Sequence, residues 1–307
     1  MIDVIIPTYK PDRSLIELIG RLKKQTIKPD HIIIVNTEKS YFDECFSGSD
    51  VQLNDGYLKV HHINKCDFDH GNTRNLGVSM SDADVFVMMT QDAMPANEHF
   101  IENLVGPLKE ETVGCSYARQ LAKEESTVIE KITREFNYPD TSLIKSEDDV
   151  KKLGIKAFFC SNVSCAYKRK VFDQLGGFVK RTIFNEDMIY ASGMVKAGYK
   201  IAYSADAKVY HSHNYSAMEQ FHRNVDLGIS QADHPEVFAG ISSESEGTKM
   251  VKLTIRKLCE SGNVIKILPY IYMTGWKYMG YLVGKNYKKL PLWFVKKCSM
   301  SPGYFEE

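Results

Sequence analysis

Four short segments of this 307-residue chain carry chemically useful side chains at spacings that would let them act together. Asp92 follows the apolar run 85–89. A carboxylate just beyond a hydrophobic strand can hold a hard divalent cation and, through it, a diphosphate. The same residue could instead cap a helical pattern at 97–109 or sit in the turn before Pro95. Asn185, Glu186 and Asp187 open a second helical pattern, in which Met188, Ala191, Met194 and Val195 are apolar. One acid poised by its neighbour suits a general base, while adjacent carboxylates at a helix start also satisfy capping and the macrodipole. His211 and His213 stand at i, i+2 after a strand-like run, which puts both rings on one face for a metal or a phosphate. Lone histidines are more often structural. The segment 70–75 starts a helix with Gly71 and Arg74, either a ready anion site or an ordinary cap with Arg74 exposed. His61, His62 and His70 carry a weaker signal.

The elements that must position these residues alternate. Val4, Ile5 and Ile6 form a bare apolar run, as a strand buried on both faces requires. Leu15, Leu18, Ile19 and Leu22 then fall at i, i+3, i+4 and i+7, with Ser14 and Glu17 at capping-box spacing and Pro29 closing the segment. Strand-like runs follow at 31–35, 58–63 and 85–89, with a helix from about 72 to 81 between the last two. This repetition predicts an α/β fold with a doubly wound, mostly parallel sheet and helices on both faces. In such sheets ligands bind beyond the carboxyl ends of the strands. Those ends carry Pro7, Thr8 and Tyr9, then Asn36 and Thr37, then Thr90, Gln91 and Asp92. The second half suggests helices at 126–136, 169–175, 187–198 and 217–230, and strands near 113–118, 162–167 and 200–204. Neither a G-x-G-x-x-G nor a G-x-x-x-x-G-K-[ST] motif occurs, which sets aside dinucleotide oxidoreduction and P-loop hydrolysis.

The 39 basic and 39 acidic residues cancel, so the chain is not a global nucleic-acid binder. The cancellation hides a division. Residues 249–297 hold eleven basic residues and one acid, Glu260, a net charge of +10 against −10 for the rest. The Ser- and Glu-rich stretch 240–247 is the natural boundary, giving a body at 1–240 and a basic tail at 247–307. Seven cysteines without a C-x-x-C pair argue against a disulfide framework or zinc ribbon and for a reducing cytosol. The N-terminus lacks the basic region of a signal peptide. The longest apolar candidate, 264–283, contains Lys266, Lys277 and Pro269. A lysine at the bilayer centre costs about 2.5–3.5 kcal/mol, which disfavours a spanning helix.

In order and spacing, several segments together resemble the inverting glycosyltransferases of family 2, which have the GT-A fold. They are 4–9, 32–35, 71–75, 89–93, 176–178 and 185–187. The likeness covers roughly residues 1–215 and is strongest to bacterial rhamnosyltransferases, through 70–77, 90–95 and the His-Ser-His-Asn-Tyr run at 211–215. It implies a nucleotide-diphosphate sugar donor, dTDP-rhamnose in this subgroup, and a saccharide or lipid-linked saccharide acceptor in surface-polysaccharide synthesis. It also implies a divalent metal, Mg²⁺ or Mn²⁺. By that resemblance Asp187 is the catalytic base, with Glu186 tuning it or orienting the acceptor. Asp92 is the metal ligand, with His211 or His213 assisting. Pro7, Thr8, Tyr9, Asn36, Arg74 and Gln91 lie along the nucleotide sugar. Two departures stand out. The usual Asp-x-Asp is Thr90-Gln91-Asp92 here, and Asn36-Thr37 replaces an acidic pair common after the second strand.

Gln220, Arg223, Asn224 and Asp226 make one side of the 217–230 helix polar. That is either a solvated face or an acceptor-facing surface, with Arg223 and Asp226 as its contacts. Between 270 and 294, eight aromatic residues interleave with lysines. Rings at headgroup level and basic residues, each contributing about 1 kcal/mol near an anionic surface, favour membrane contact. The enzyme is therefore expected in the cytoplasm, peripheral on the inner face of the membrane. The alternative is a helix packed on the body or on a second subunit of a homo-oligomer, lysines outward. Two other functions fit less well. A sugar nucleotidyltransferase would need a glycine-rich basic signature that 7–12 lacks, and a non-catalytic sugar-binding scaffold would not need the Glu186-Asp187 pair.

Overall fold

The strand and helix alternation of the first half builds a sheet covered on both faces. In the computed structural model, which describes residues 1–49, 51, 53, 56–239 and 244–306, the strands are β1 (Ile2–Tyr9), β2 (His31–Thr37), β3 (Leu58–Ile63), β4 (Val85–Met89), β5 (Met94–Pro95), β6 (Val113–Leu121), β7 (Leu143–Lys145), β8 (Ser164–Lys168) and β9 (Lys200–Tyr210). Their spatial order is β3-β2-β1-β4-β8-β6-β9-β5, with β7 on β9. β1 to β4, β6 and β9 run one way, and β5, β7 and β8 run against them. The sheet is mostly parallel, as the bare apolar runs imply, with β8 inserted antiparallel between β4 and β6.

Successive side chains of a strand point to opposite faces. Val4 and Ile6 accordingly join Leu15, Leu18 and Ile34 in one core layer, while Ile5 joins Ile33, Phe86, Met88 and Tyr167 in the other. The helix Arg13–Lys23 buries Leu15, Leu18, Ile19 and Leu22 as its spacing predicts. Its cap differs from the expectation. Asp12 accepts from the Ser14 amide at 2.8 Å, and Glu17 pairs with Arg21 at 2.8 Å instead of closing a capping box. The helix His70–Ser79 approaches the sheet at Gly77, where a Cβ would lie 2.4 Å from Ile5 Cγ2.

The pattern at 97–109 breaks into the helix Phe100–Val105 and a 3₁₀ turn, Gly106–Lys109. Pro107 has no N–H and crowds the preceding turn, so the regular helix stops there. His99, not Asp92, precedes this helix, which removes the capping role for Asp92. The helices Val128–Asn137, Arg169–Gln174, Glu186–Lys196 and Ala217–Asp233 lie near their expected places, and Lys39–Phe46, Val150–Leu153 and Pro235–Phe238 are further helices of the body.

The boundary expected at 240–247 falls partly on 240–243, outside the described residues. Beyond it lie the helices Glu244–Glu260, Ile267–Lys285 and Leu292–Cys298. They are packed on the body. Ile267–Lys285 meets Ala217–Asp233 backbone to backbone through glycines. A Cβ on Gly280 would lie 2.3 Å from the Phe221 carbonyl oxygen, one on Gly284 2.1 Å from that of Val225, and one on Gly228 2.5 Å from that of Tyr281. Leu258 and Tyr270 share a small core with Ile132 of the Val128–Asn137 helix, and Lys257 reaches Glu135 at 2.5 Å. Among the described residues no helix is long and apolar enough to cross a membrane.

Candidate active site

β4, β6 and β9 run in the same direction, so their carboxyl ends bring Asp92, Gln120 and His211 to one edge of the sheet. There a cavity of about 490 Å³ opens between the sheet and the helices Glu186–Lys196, Ala217–Asp233 and Ile267–Lys285. Arg74, Asp92, Glu186, Asp187, His211, His213 and Arg223 all line it. The four segments singled out by residue type thus converge on one space, with a metal-type cluster on one wall and a pair of carboxylates on another.

On the first wall, Asp92 Oδ2 lies 3.2 Å from His213 Nε2 and 3.5 Å from His211 Nε2, and the two Nε2 atoms are 3.1 Å apart. All three ligand atoms fall within 4.8 Å of one another. His211 Nδ1 faces Gln120 Oε1 at 3.0 Å. That oxygen also accepts from Arg134, while Gln120 Nε2 donates to Ser161. An amide oxygen can only accept, so the His211 proton sits on Nδ1 and Nε2 presents a free lone pair to the cluster. Burial, aided by neighbouring cations, pushes the His211 pKa down, keeping the ring in its neutral, ligating form. Burial works the other way on Asp92, yet the two histidines and Thr90 beside it hold its carboxyl far below the usual range. The result is a carboxylate and two imidazoles, formed before any ion arrives. This donor set fits a divalent transition ion such as Mn²⁺ better than Mg²⁺, which prefers oxygen alone.

The second wall starts at Asn185, whose left-handed backbone (φ 64°) turns the chain into the helix Glu186–Lys196. Its side chain does not cap that helix. It donates to Ser230 Oγ at 3.1 Å, tying the turn to the Ala217–Asp233 helix. Glu186 is buried and lies 3.2 Å from Arg74 Nε. Arg74 is therefore neither exposed nor free. The start of its own helix is closed internally, because Asp69 accepts from the Gly71 and Asn72 amides and from Thr182 N. The anion site expected there is filled by Asp69, and Arg74 serves the carboxylate pair instead.

Asn162 holds both acids. Its backbone N–H donates to Asp187 Oδ2 and its side-chain amide to Glu186 Oε1, each at 3.0 Å. The two acids then diverge. Burial would raise Glu186, but Arg74, His70 and Asn162 outweigh it and hold its pKa below the ordinary value. Among the described residues no cation forms a salt bridge with Asp187, and burial together with the charge of Glu186 raises its pKa well above the ordinary value. A lowered and a raised carboxyl side by side is the division of labour expected of an acid–base site.

Not every expected residue enters the cavity. Among the described residues Pro7, Thr8, Tyr9, Asn36, Gln91 and Asp226 do not line it. Asn36 is fully buried; its amide accepts from Thr8 Oγ1 at 2.9 Å, donates to the Glu38 carbonyl at 3.1 Å and abuts His62. Thr8 and Asn36 thus shape the strand ends from within, and their side chains do not present themselves to a base. Gln91 exchanges hydrogen bonds with the Tyr9 backbone at 3.0 and 3.2 Å, joining the ends of β1 and β4. Tyr9 is exposed, edge-on to Tyr41, with Lys10 over both rings. Asp226 points away from the cavity: it is buried and takes Ser299 Oγ at 2.6 Å and Met300 N at 3.2 Å. It anchors the tail, so of the two acceptor-side candidates only Arg223 faces the site, its guanidinium over Phe184.

Sequence reading missed Gln120, Arg134, Asn162 and Lys277, all of which line the cavity. Asn162 sits in a loop with no periodicity, and nothing local marks it. Lys277 belongs to the tail counted as a basic surface, yet the glycine-mediated crossing turns it inward. Burial lowers its pKa.

Comparisons with known proteins bear on the family and the fold. The family model for glycosyl transferase family 2 matches residues 3–176. The O-antigen chain rhamnosyltransferase RfbN of Salmonella typhimurium is 38% identical over 310 aligned residues, covering 99% of this chain and 96% of that protein. WbaN of Salmonella anatum, also an O-antigen chain rhamnosyltransferase, is 35% identical and covers 98% and 95%. Among solved structures, the mannosyltransferase PcManGT of Pyrobaculum calidifontis, in complex with GDP-Man and Mn²⁺, superposes with a TM-score of 0.62 at 12% identity, covering 92% of this chain and 86% of that one. Residues 1–349 of S. aureus TarS, in complex with UDP-GlcNAc, give 0.51 at 13%, covering 94% and 91%. These two likenesses speak for the GT-A fold. The family match and the two near full-length relatives establish that this chain belongs to glycosyl transferase family 2 and is a glycosyltransferase.

Proposed function

We infer that the enzyme transfers L-rhamnose, with inversion, from dTDP-rhamnose to a saccharide or lipid-linked saccharide acceptor in the synthesis of a cell-surface polysaccharide. The observation that carries this reading is the meeting, in one cavity, of the Asp92–His211–His213 cluster and the Glu186–Asp187 pair. The rhamnose assignment rests on the two relatives, both named as O-antigen chain rhamnosyltransferases.

In this mechanism Asp187 takes the proton of an acceptor hydroxyl. The oxygen forms a bond to the anomeric carbon from the face opposite the nucleoside diphosphate, whose bond to that carbon breaks. Asp187 must be ionised first. Its raised pKa makes it a strong proton acceptor once it has lost its own proton. Asn162 aims its Oδ2, and Arg74 keeps Glu186 charged beside it. Asp92, His211 and His213 would hold the divalent ion, which when bound neutralises charge on the departing diphosphate. Arg223 and Lys277 add positive charge on the cavity side formed by the last helices. Tyr9 and the strand ends around it form the shelf for the nucleotide.

The tail supports peripheral attachment to the cytoplasmic face of an anionic membrane. One face packs on the body, and the other leaves Ile265 (85%), Leu268 (77%), Tyr272 (62%) and Trp293 (70%) exposed. Lys266, Lys288 and Lys289 lie exposed among them in sequence. Rings and basic residues in this arrangement suit a headgroup layer. The same exposed face would serve a homo-oligomer, and cosedimentation with phosphatidylglycerol vesicles separates the two.

A thermal-shift panel of nucleotide sugars, with and without Mn²⁺ or Mg²⁺, tests the donor. Stabilisation by dTDP-rhamnose with Mn²⁺, and little by GDP-mannose or UDP-GlcNAc, is expected. Stabilisation by another sugar nucleotide alone overturns the rhamnose assignment and leaves the family standing.

A further inference from the structure

Directly behind the catalytic pair lies a second cluster that the transfer reaction does not use. Cys115 on β6, Cys165 on β8 and Cys160 in the preceding loop are all buried, and their three Sγ atoms fall within 4.8 Å of one another. An equilateral triangle of that edge has its centre about 2.8 Å from each corner, so shifts of about half an ångström would bring three sulfurs to the ~2.3 Å of a zinc–thiolate bond. Cys160 also lines the active-site cavity, which gives an ion a way in.

A second observation concerns charge. Lys145 is buried, and its ammonium donates to the Lys156 carbonyl at 2.9 Å and to the Phe159 carbonyl, with the Tyr117 ring beside it. Among the described residues no carboxylate pairs with it, while all three cysteines lie within its electrostatic reach. A buried cation without an anionic partner is costly. Three thiolates around a divalent ion carry one net negative charge, which Lys145 would cancel. The sulfurs already share charge in this sense: burial raises each thiol, yet Cys160, Cys165 and Lys145 together bring Cys115 below its ordinary value.

We propose that Cys115, Cys160 and Cys165 form a binding site for a thiophilic divalent cation, and that its occupancy loosens the grip on Asp187. On binding, each thiol releases its proton to solvent and forms a sulfur–metal bond. Cys160 then loses the S–H that it donates to the Asp187 carbonyl at 3.3 Å. Two residues on, Asn162 contacts both acids, so a shift of Cys160 is passed to the pair that performs the transfer.

Cadmium is the probe, on protein with Cys66→Ser and Cys259→Ser to remove the exposed thiols. One equivalent of Cd²⁺ should give an ultraviolet sulfur-to-metal band and a ¹¹³Cd resonance in the strongly deshielded range of sulfur ligation. Both should disappear in Cys165→Ala or Cys115→Val. A resonance confined to the nitrogen–oxygen range, or a band unchanged in those variants, overturns the site. The resonance of the unmodified trio decides the matter even where a variant fails to fold. With Mn²⁺ saturating, Cd²⁺ should lower transfer at least tenfold in the parent protein and much less in Cys165→Ala. Equal inhibition in both overturns the coupling. The spectroscopic reading needs no donor sugar, so it stands or falls apart from the rhamnose assignment.

Discussion

The two walls of the cavity are built from the same chemical type and do opposite things. Asp92 and Asp187 are both aspartates beside the same cavity. Asp92 sits against two imidazoles, and with Thr90 they hold its pKa down against the pull of burial. Asp187 is buried against another carboxylate with the Asn162 and Met188 N–H groups to hold it, and its pKa is raised well above the ordinary value. Burial pushes both carboxyls up; the charge and donor character of the neighbours sends them in opposite directions. A carboxylate with nitrogen neighbours is prepared to bind a cation, and one with an acid beside it is prepared to exchange a proton.

The contrast can be broken in graded steps. The largest effect belongs to Asp187→Asn, which removes the only proton acceptor with a raised pKa in the pair; transfer should fall about 10²–10⁴-fold. Next is Gln120→Ala. Without the oxygen that fixes the His211 tautomer, metal affinity should fall about 10–100-fold, read by titrating activity with Mn²⁺. Gly284→Leu acts on neither wall directly but forces apart the helices that carry Arg223 and Lys277. Overpacking of this kind costs about 1–3 kcal/mol and should show as a lower melting temperature with weaker acceptor saturation.

The smallest change is a pH shift. Asp187 has a raised pKa, so it is protonated and inactive at low pH, and activity rises as pH increases through that pKa. Glu186→Gln removes a negative neighbour that raises it. The ascending limb of the pH–rate profile should therefore move to lower pH. Movement to higher pH would mean that Glu186 does not control the proton on Asp187.

How much of this the sequence showed depended on how local each cause is. The strands were legible because a run such as Val4–Ile6 has one use in a sheet covered on both sides, and the meeting of Asp92, Asp187, His211 and His213 at one cavity could be anticipated because each follows or opens an element. Asn36 and Asp226 were misplaced for a common reason. Position at a strand end or on a helix face says where a residue is, while burial by Thr8 and His62, or by Ser299 and Met300, depends on chain far away in sequence. Lys277 was hidden by a helix crossing that only the glycines at 228, 280 and 284 permit. The charge split between body and tail was real as arithmetic, yet it concealed that one tail lysine belongs to the active-site wall.

If one wall serves cation and donor binding and the other proton transfer, variants of the two aspartates must fail in different ways. Isothermal titration of a sugar-nucleotide donor in Mn²⁺, alongside transfer assays, on Asp92→Asn and Asp187→Asn reads that difference. The structure predicts that Asp187→Asn binds donor as the parent does and transfers almost nothing, while Asp92→Asn loses Mn²⁺-dependent donor binding. The reverse pattern, with donor binding lost in Asp187→Asn and intact in Asp92→Asn, would contradict it.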